Sequence, residues 1–211
     1  MRRYISDLHF FDEDVCFKMD NRGFSSIQEM NNYMIQKWNQ TVAPGDEIFV
    51  LGDMFSWTGA EKNAKKINCT LQRLHGKIVL IEGNHDKTWL NKPDINKRRF
   101  RDIQKYKEIK DSGRELILCH YPIPFFGKNH STMPNGDPKV WMLHGHLHDS
   151  QETKLLNEFK EIAQNTTFTN RPKGDVQMTI NTLNCFCGFS DYEPWTLDEW
   201  INYFKTHKTE G

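Results

Sequence analysis

Side chains that can bind metal ions are concentrated in five short clusters of the sequence. These clusters are Asp7-x-His9, Gly52-Asp53, Gly83-Asn84-His85-Asp86, His120 and Gly145-His146-Leu147-His148. Their donors are oxygen and nitrogen atoms without sulfur, a set that suits Mn²⁺, Fe²⁺ or Zn²⁺ and disfavours soft metals. The pattern therefore predicts chemistry that depends on divalent cations.

Seven of these side chains count as donors, and that number favours two ions over one. A tetrahedral zinc ion is filled by about four ligands, whereas two ions that share the set keep positions open for water. A single carboxylate, such as that of Asp53, can bridge the pair. The seven candidate ligands are the carboxylates of Asp7 and Asp53, the imidazoles of His9, His120, His146 and His148, and the amide oxygen of Asn84.

The one-residue spacing in Asp7-x-His9 and His146-x-His148 matches the alternation of a strand. In extended backbone, every second side chain points to the same face. The spacing therefore predicts that both members of each pair face one ion. The glycines Gly52, Gly83 and Gly145 are expected where the backbone turns sharply or approaches the ions closely.

Strand-like apolar segments lead into four of the clusters, and two stretches of helical periodicity lie between the first three. This order of strand, helix, strand, helix and strand is typical of parallel α/β units. In sheets of such units, ligands bind at the carboxyl ends of the strands, which is where the clusters stand. The strand-like segments are 4–6, 47–51, 77–81 and 115–119, and the helices are predicted to begin at the capping pairs Ser26–Glu29 and Thr58–Glu61.

The second half of the chain predicts a different arrangement, in which neighbouring strands are joined by a tight turn. Residues 150–175 are compatible either with a helix over the cleft or with a flap. Because no linker or repeat divides the chain, residues 1–211 are expected to form a single domain. The further predicted elements are strands at 106–109, 115–119, 140–143 and 176–183, a turn at 111–113 and a final helix capped by Thr196 and Glu199.

Composition narrows the class of protein. The chain has 211 residues with 28 basic and 28 acidic side chains, and this balance argues against a protein that coats nucleic acid. No apolar run approaches the length of a membrane span, and no secretory signal is visible at the start. The five cysteines form no C-x-x-C pair. We therefore expect a cytoplasmic protein that does not bind membranes and keeps its thiols reduced.

The order of the five clusters resembles that of the calcineurin-like metallophosphoesterase superfamily. Every position of the set D-x-H, G-D, G-N-H-D, lone H and G-H-x-H is present between residues 7 and 148. The segment 181–200 also looks like the ending of small bacterial members that begin with Ser-Asp-x-His-Phe. The chain departs from those members after His9, where Phe10 and Phe11 stand in place of Gly-His.

This resemblance implies a four-layer α/β sandwich of two mixed β-sheets, packed face to face and flanked by helices, with a dimetal site at the carboxyl ends of the strands. The implied cofactors are two divalent metal ions, Mn²⁺ foremost, with Fe or Zn as alternatives. The resemblance places Asp7, His9, Asp53 and His148 on one ion, and Asp53, Asn84, His120 and His146 on the other.

The resemblance further implies hydrolysis of a small phosphoester, with a phosphodiester favoured over a monoester. A hydroxide that bridges the ions attacks phosphorus, His85 protonates the leaving oxygen, and Asp86 is available to orient the ring of His85. A metal-dependent nuclease is one alternative, although the neutral chain lacks an evident DNA-binding domain. A binding scaffold without turnover is another, although such a protein would be free to lose ligands.

Several polar residues outside the clusters carry weaker hypotheses. His144 is expected in the core or behind the ligands, and His75 and His207 are expected to be structural. The basic run 96–101 is interpreted as a solvated face, with a phosphate-facing patch as the alternative. In the loop between His120 and His146, we expect substrate contact from at least one of Phe125, Phe126, Lys128 and His130.

Overall fold

Two four-stranded sheets carry the clusters. The computed structural model describes residues 1–56, 64–170 and 174–207. The first sheet is parallel throughout, in the order β1-β2-β3-β4, and the second has the order β10-β7-β6-β5 with only β5 antiparallel. Their strands are β1 (Arg2–Ile5), β2 (Glu47–Val50), β3 (Lys77–Ile81), β4 (Phe100–Gln104), β5 (Tyr106–Asp111), β6 (Arg114–Cys119), β7 (Val140–His144) and β10 (Thr182–Asn184).

The remaining elements within the described ranges are a hairpin, five α-helices, a π-helix (Val15–Met19) and two 3₁₀-helices (Lys97–Arg99 and Cys187–Ser190). Strands β8 (Thr167–Asn170) and β9 (Gly174–Gln177) pair with each other. None of the described helices is long and apolar enough to cross a membrane. The helices are α1 (Ile27–Thr41), α2 (Ala64–Arg73), α3 (Asp86–Leu90), α4 (Gln151–Gln164) and α5 (Leu197–Thr206).

Most of the predicted elements are confirmed, and three details are corrected. The first sheet is purely parallel rather than mixed. The strand predicted at 176–183 is two strands, because β9 turns back onto β8 while β10 pairs with β7. Within the described part of 150–175, α4 (Gln151–Gln164) follows His148, so the helix rather than a flap stands there, and β8 comes after it. The predicted cap at Thr58 and Glu61 lies outside the described residues.

The helix caps follow the local chemistry. At α5, Thr196 and Glu199 exchange side-chain hydrogen bonds with each other's backbone, a complete capping box. At α1, Ser26 Oγ accepts the Glu29 N–H at 3.1 Å, but the Glu29 carboxylate accepts from Ser25 instead of Ser26. The sequence pattern therefore predicted the start of both helices correctly. A complete capping box is present only at α5.

The two sheets pack against each other through a shared apolar core. Phe49 and Val79 of the first sheet belong to one buried cluster with Leu118 and Leu143 of the second. The opposite face of the first sheet packs on α1 and α2, where Trp38 is fully buried. These contacts give a mixed α/β architecture with sheets flanked by helices. The complete four-layer order stays a prediction.

The parallel topology brings the polar clusters to one edge. Asp7, Asp53, Asn84 and His146 follow β1, β2, β3 and β7, and His120 follows β6. Backbone hydrogen bonds continue past the strand ends, from Asp7 N–H to the Gly52 carbonyl at 3.0 Å and from Gly145 N–H to the His120 carbonyl at 2.9 Å. The loops that carry the candidate ligands are therefore held to one another by their main chains.

Candidate metal centre

The direction of the paired ligand side chains is set by left-handed backbone rather than by the alternation of a strand. The expectation of extended backbone at Asp7-x-His9 and His146-x-His148 is wrong, because all four residues have positive φ angles. This conformation is unfavourable for residues with a Cβ and persists where the surrounding structure enforces it, often at functional sites. The angles are 55° at Asp7, 49° at His9, 53° at Asp53, 73° at His146 and 50° at His148.

The first group of converging ligand atoms comes from the first and the last of the five sequence clusters. Asp7, His9 and His148 each offer one ligand atom, and these atoms lie within 4.8 Å of one another. His148 Nε2 lies 3.7 Å from Asp7 Oδ1. All three side chains are buried, with His9 only 1% exposed. One ion could reach all three.

A second group lies beside the first and shares Asp7 with it. Asp7, Asp53 and His120 also offer ligand atoms within 4.8 Å of one another. His120 Nε2 lies 3.3 Å from Asp53 Oδ2 and 2.9 Å from Asn84 Oδ1. The other ring nitrogen, Nδ1, is 2.8 Å from the Leu51 carbonyl. If Nδ1 carries the proton for that bond, the lone pair of Nε2 faces the carboxylates and can bind a cation.

The charges in this group favour a cation. Burial lowers the pKa of His120, but its hydrogen bond to Asp53 and the charges of Asp7 and Asp53 outweigh burial and raise that pKa to about 9. Burial raises the pKa of Asp53, yet the hydrogen bond and charge of His120 bring it down to about 2. The two carboxylates thus hold a proton on His120 when nothing else balances them, and a divalent cation would replace it.

Two independent features show that the residues fit metal ions. Both ring nitrogens of His9 are buried without a hydrogen-bond partner, although Nδ1 lies 3.4 Å from Asp12 Oδ2. Buried polar groups are nearly always satisfied, so His9 Nε2, which faces Asp53 Oδ2 at 3.7 Å without a hydrogen bond, is placed as a metal ligand would be. The glycines supply the second feature, since they leave space for ligand side chains.

Each of the three glycines approaches a ligand side chain closely, a contact that the sequence analysis did not predict. A Cβ at Gly52 would lie 2.2 Å from His120 Nδ1, one at Gly83 would lie 2.3 Å from Asp53 Oδ1, and one at Gly145 would lie 2.5 Å from Asp7 Oδ2. These distances are far below van der Waals contact. Only glycine therefore allows the three ligands their present positions.

We expect Gly83→Ala to weaken metal binding by roughly tenfold or more, because the new methyl group must displace Asp53. Isothermal titration with Mn²⁺ measures the affinity, and thermal melting of the metal-free protein measures stability. Gly127→Ala is the matched control, since a Cβ there meets nothing within 4 Å. Equal Mn²⁺ affinity in both variants would contradict the close-approach argument.

The other expected site residues surround the ligands. The His146 ring is half-buried, with its centroid 5.1 Å from that of His120, and its backbone N–H donates to both Asp7 carboxylate oxygens at 3.0 Å. His85 is exposed, and its ring centroid lies 5.1 Å from that of His9. The structure therefore places an accessible imidazole at the open side of the ligand groups.

Asp86 is placed differently from its expected role beside the His85 ring. Its fully buried carboxylate accepts backbone N–H groups of Gly83, Asp53 and Met54 at 2.8–2.9 Å and the Trp89 indole N–H at 3.0 Å. Those four bonds occupy the carboxylate and tie the loop after β3 to the loop after β2. Burial and the charge of Asp53 raise the pKa of Asp86 to about 6.

Two of the four residues expected to contact substrate in the loop after His120 have partners within the fold, and the expectation for Phe125 and His130 stays a prediction. Phe126 packs against the cluster of Ile117, Val140 and Met142. Lys128 pairs with Glu115 at the start of β6, the opposite end of the strand from His120. Tyr121 of the same loop places an exposed ring near the ligands, with its centroid 4.7 Å from that of His146.

Partners within the fold bear on two other weak hypotheses. His144 is fully buried in β7, as expected of a core residue, with Nδ1 2.9 Å from the Gly145 carbonyl. In the basic run, Arg99 donates to the carbonyls of Leu71, Leu74 and Gly76, and Arg101 pairs with Glu47. These bonds engage two arginines within the fold, whereas Lys97 and Arg98 are exposed as expected of a solvated face, and the phosphate-facing alternative stays a prediction.

Sequence reasoning missed Asp12, Asp20 and Arg22, which lie behind the ligands. Asp20 accepts from His148 Nδ1 at 2.8 Å, and Arg22 donates to the Asp7 carbonyl at 2.9 Å. The segment has no helical or strand periodicity, and no fixed spacing links it to His148. The one available signal was a charged pair, Asp20 and Arg22, one residue apart in a loop.

Two known proteins are similar to this chain in sequence or in fold. An uncharacterized protein of Methanocaldococcus jannaschii, MJ1445, is 29% identical over 194 residues, which cover 92% of this chain and 85% of that protein. A crystal structure of AQ665, a protein of unknown function from Aquifex aeolicus, shares the fold with a TM-score of 0.60. It is 21% identical, and the alignment covers 96% of this chain and 98% of that one.

A family model adds the chemical class. The model described as calcineurin-like phosphoesterase matches residues 4–202, nearly the whole chain. The match spans both ligand groups and the sheets that position them. The chain belongs to the calcineurin-like phosphoesterase family.

Proposed function

We propose that this protein is a phosphodiesterase that uses two divalent cations, Mn²⁺ foremost, held by Asp7, His9, Asp53, Asn84, His120, His146 and His148. The observation that supports this proposal is the pair of adjacent ligand groups at the carboxyl ends of parallel strands, in a chain that belongs to a family of phosphoesterases. When bound, two such cations polarise the phosphoryl oxygens and lower the pKa of a coordinated water to supply the nucleophile.

The position of Asp53 supports its assignment as the ligand shared by both ions. Its Oδ2 lies 3.7 Å from His9 Nε2 and 3.3 Å from His120 Nε2, between the two histidines assigned to different ions. Its Oδ1 accepts the His85 N–H at 2.9 Å. Asp53 thus also fixes the backbone that carries the proposed acid.

His85 is assigned as the proton donor to the leaving oxygen. As water gives up one proton to solvent and its oxygen forms a bond to phosphorus, the bond to the leaving oxygen breaks, and the imidazolium proton of His85 passes to that oxygen. The exposed ring beside His9 can reach a substrate bound across the ligand groups. Solvent then restores the proton on His85.

The diester preference rests on charge. A phosphomonoester carries up to two negative charges near neutral pH, whereas a diester carries one. Arg22 lies near the ligands, but it is buried and bonded to Asp20 and to the carbonyls of Asp7 and Leu8. Its charge is therefore not available to bind a second negative charge of a substrate. A singly charged phosphoester suits the site better.

The nuclease and the scaffold are less well supported. Two arginines of the basic run are engaged in the fold, which weakens the case for a nucleic-acid surface there. The scaffold hypothesis predicts lost ligands, whereas all seven are present. Neither alternative gains a specific observation from the structure.

An assay of purified protein with Mn²⁺ tests the proposal. Bis-p-nitrophenyl phosphate represents a diester and p-nitrophenyl phosphate a monoester, with EDTA as the control for metal dependence. We expect faster, EDTA-sensitive turnover of the diester and two metal ions per chain by elemental analysis. Turnover of neither substrate with both ions bound would favour the scaffold, and equal rates on single-stranded DNA would favour the nuclease.

A further inference from the structure

The segment between His9 and α1 contacts the candidate ligands through two charged side chains. Asp20 and Arg22 belong to this segment, and both side chains are nearly inaccessible to solvent, with exposures of 10% and 2%. Their mutual bonds join Arg22 Nε and Nη2 to Asp20 Oδ2 at 3.0 and 2.9 Å. A buried pair of this kind is costly to desolvate unless it is fully bonded, so its remaining partners indicate what it does.

The remaining partners of Asp20 belong to a candidate ligand. His148 Nδ1 lies 2.8 and 2.9 Å from the two carboxylate oxygens of Asp20. An ionised carboxylate only accepts hydrogen bonds, so Nδ1 must carry a proton. Nε2, which faces Asp7 Oδ1 at 3.7 Å, therefore has its lone pair directed towards the ligand group.

The remaining partners of Arg22 are on the opposite ligand loop. Its Nη1 donates to the Leu8 carbonyl at 2.8 Å, and its Nη2 donates to the Asp7 carbonyl at 2.9 Å. Both bonds hold the left-handed turn at Asp7. The guanidinium also lies over the rings of Phe186 and Tyr192, 5.7 and 5.6 Å from their centroids.

Phe186 completes the frame around His148. Its ring stacks on the His148 ring at a centroid distance of 4.8 Å and an interplanar angle of 26°. One guanidinium thus contacts the backbone of Asp7, the carboxylate that orients His148 and the ring that supports His148. Ligands 141 positions apart in sequence are joined through a single buried pair of charges.

We propose that Asp20 and Arg22 are positioning residues that fix the tautomer of His148 and its distance from Asp7, and so set the affinity of the ion bound by Asp7, His9 and His148. This inference rests on the proposed dimetal function. Carboxylates bonded to metal-binding histidines orient the ring and increase its basicity, and their loss typically weakens metal binding by about 10–100-fold.

The decisive variant is Asp20→Asn, which keeps the size and one acceptor oxygen but removes the charge. We expect one of the two Mn²⁺ sites to weaken by about 10–100-fold in calorimetric titration of metal-free protein, with the other site little changed. Asp20→Ala should weaken the same site further, because Nδ1 loses its acceptor. Arg22→Lys should act in the same direction, because one ammonium cannot reproduce the planar fork.

Electron paramagnetic resonance of Mn²⁺ gives a readout that general destabilisation does not move. With two equivalents added, the wild type should show a spin-coupled pair, and Asp20→Asn should show isolated ions at the same occupancy of the tighter site. Two matched controls lie away from the ligands. Asp46→Asn removes a carboxylate that accepts from Arg3 and the amino terminus, and Arg99→Lys removes an arginine bonded to three carbonyls.

The controls should lower the melting temperature without changing the Mn²⁺ titration. Wild-type affinity and a coupled spectrum in Asp20→Asn would overturn the positioning role alone. Equal weakening of both sites, shared by the controls, would also overturn it, since it would indicate general loosening. A wild type that binds no Mn²⁺ would overturn the proposed function and this inference together.

Discussion

Asp53→Asn should abolish most phosphoesterase activity, lowering kcat/KM by roughly a thousandfold or more, about 4 kcal/mol in the activation free energy. The reason is that its carboxylate lies between His9 and His120, so neutralising it weakens the grip on both proposed ions at once. An amide of the same size can still accept the His85 N–H that Asp53 Oδ1 now accepts. The fold should therefore survive.

Elemental analysis separates this effect from misfolding. The variant should lose metal from two ions per chain towards none, while the metal-free proteins melt at similar temperatures. Asp46→Asn, at the other end of β2, is the matched control and should keep both ions and wild-type kcat/KM. A fully active Asp53→Asn that retains two ions would show that the shared ligand is a different residue, with Asp7 the first to examine because it belongs to both ligand groups.

His85→Ala should behave in the opposite way, keeping its metals and losing turnover. General acids typically contribute about 10²–10⁴-fold to the rate, so kcat should fall within that range while KM changes little. The loss should be smallest for p-nitrophenyl esters, whose leaving group departs without a proton. It should grow for esters of alkyl alcohols, which need one.

The exposed position of His85 makes this variant safe for the fold. His75→Ala is the matched control, since His75 is also exposed but lies just before β3, at the far end of that strand. The readouts are metal content, kcat and the dependence of kcat on leaving-group pKa. Loss of an ion from His85→Ala, or an equal rate loss for all leaving groups, would contradict the assignment as proton donor.

The positions of the polar clusters at the strand ends could be predicted from the sequence pattern. The apolar segments 47–51 and 77–81 end on Asp53 and Asn84, and the structure places both residues at one sheet edge. Parallel pairing follows from the helical stretches between the strands, since parallel neighbours need a crossover. The order of the elements therefore predicted where the polar residues would meet.

Predictions from the sequence pattern were wrong where the backbone angles differ from those of regular secondary structure. At His146-x-His148 the expected alternation is replaced by left-handed φ angles of 73° and 50°. Side-chain direction then depends on the exact turn rather than on a period of two. The prediction of a single strand at 176–183 was wrong for a related reason. Composition is similar along this run, but its first part pairs with β8 in a hairpin and its last part pairs with β7 in the second sheet.

Sequence alone determined the family, the donor chemistry and the order in which strands deliver the donors, because residue types and periodicity are local properties. Tertiary structure alone decided that Asp86 binds backbone rather than the His85 ring, and that Asp20 reaches His148 across 128 positions. Such partnerships arise from loops that carry no repeating pattern. They become visible only when packing has fixed the distance between segments that the sequence keeps apart.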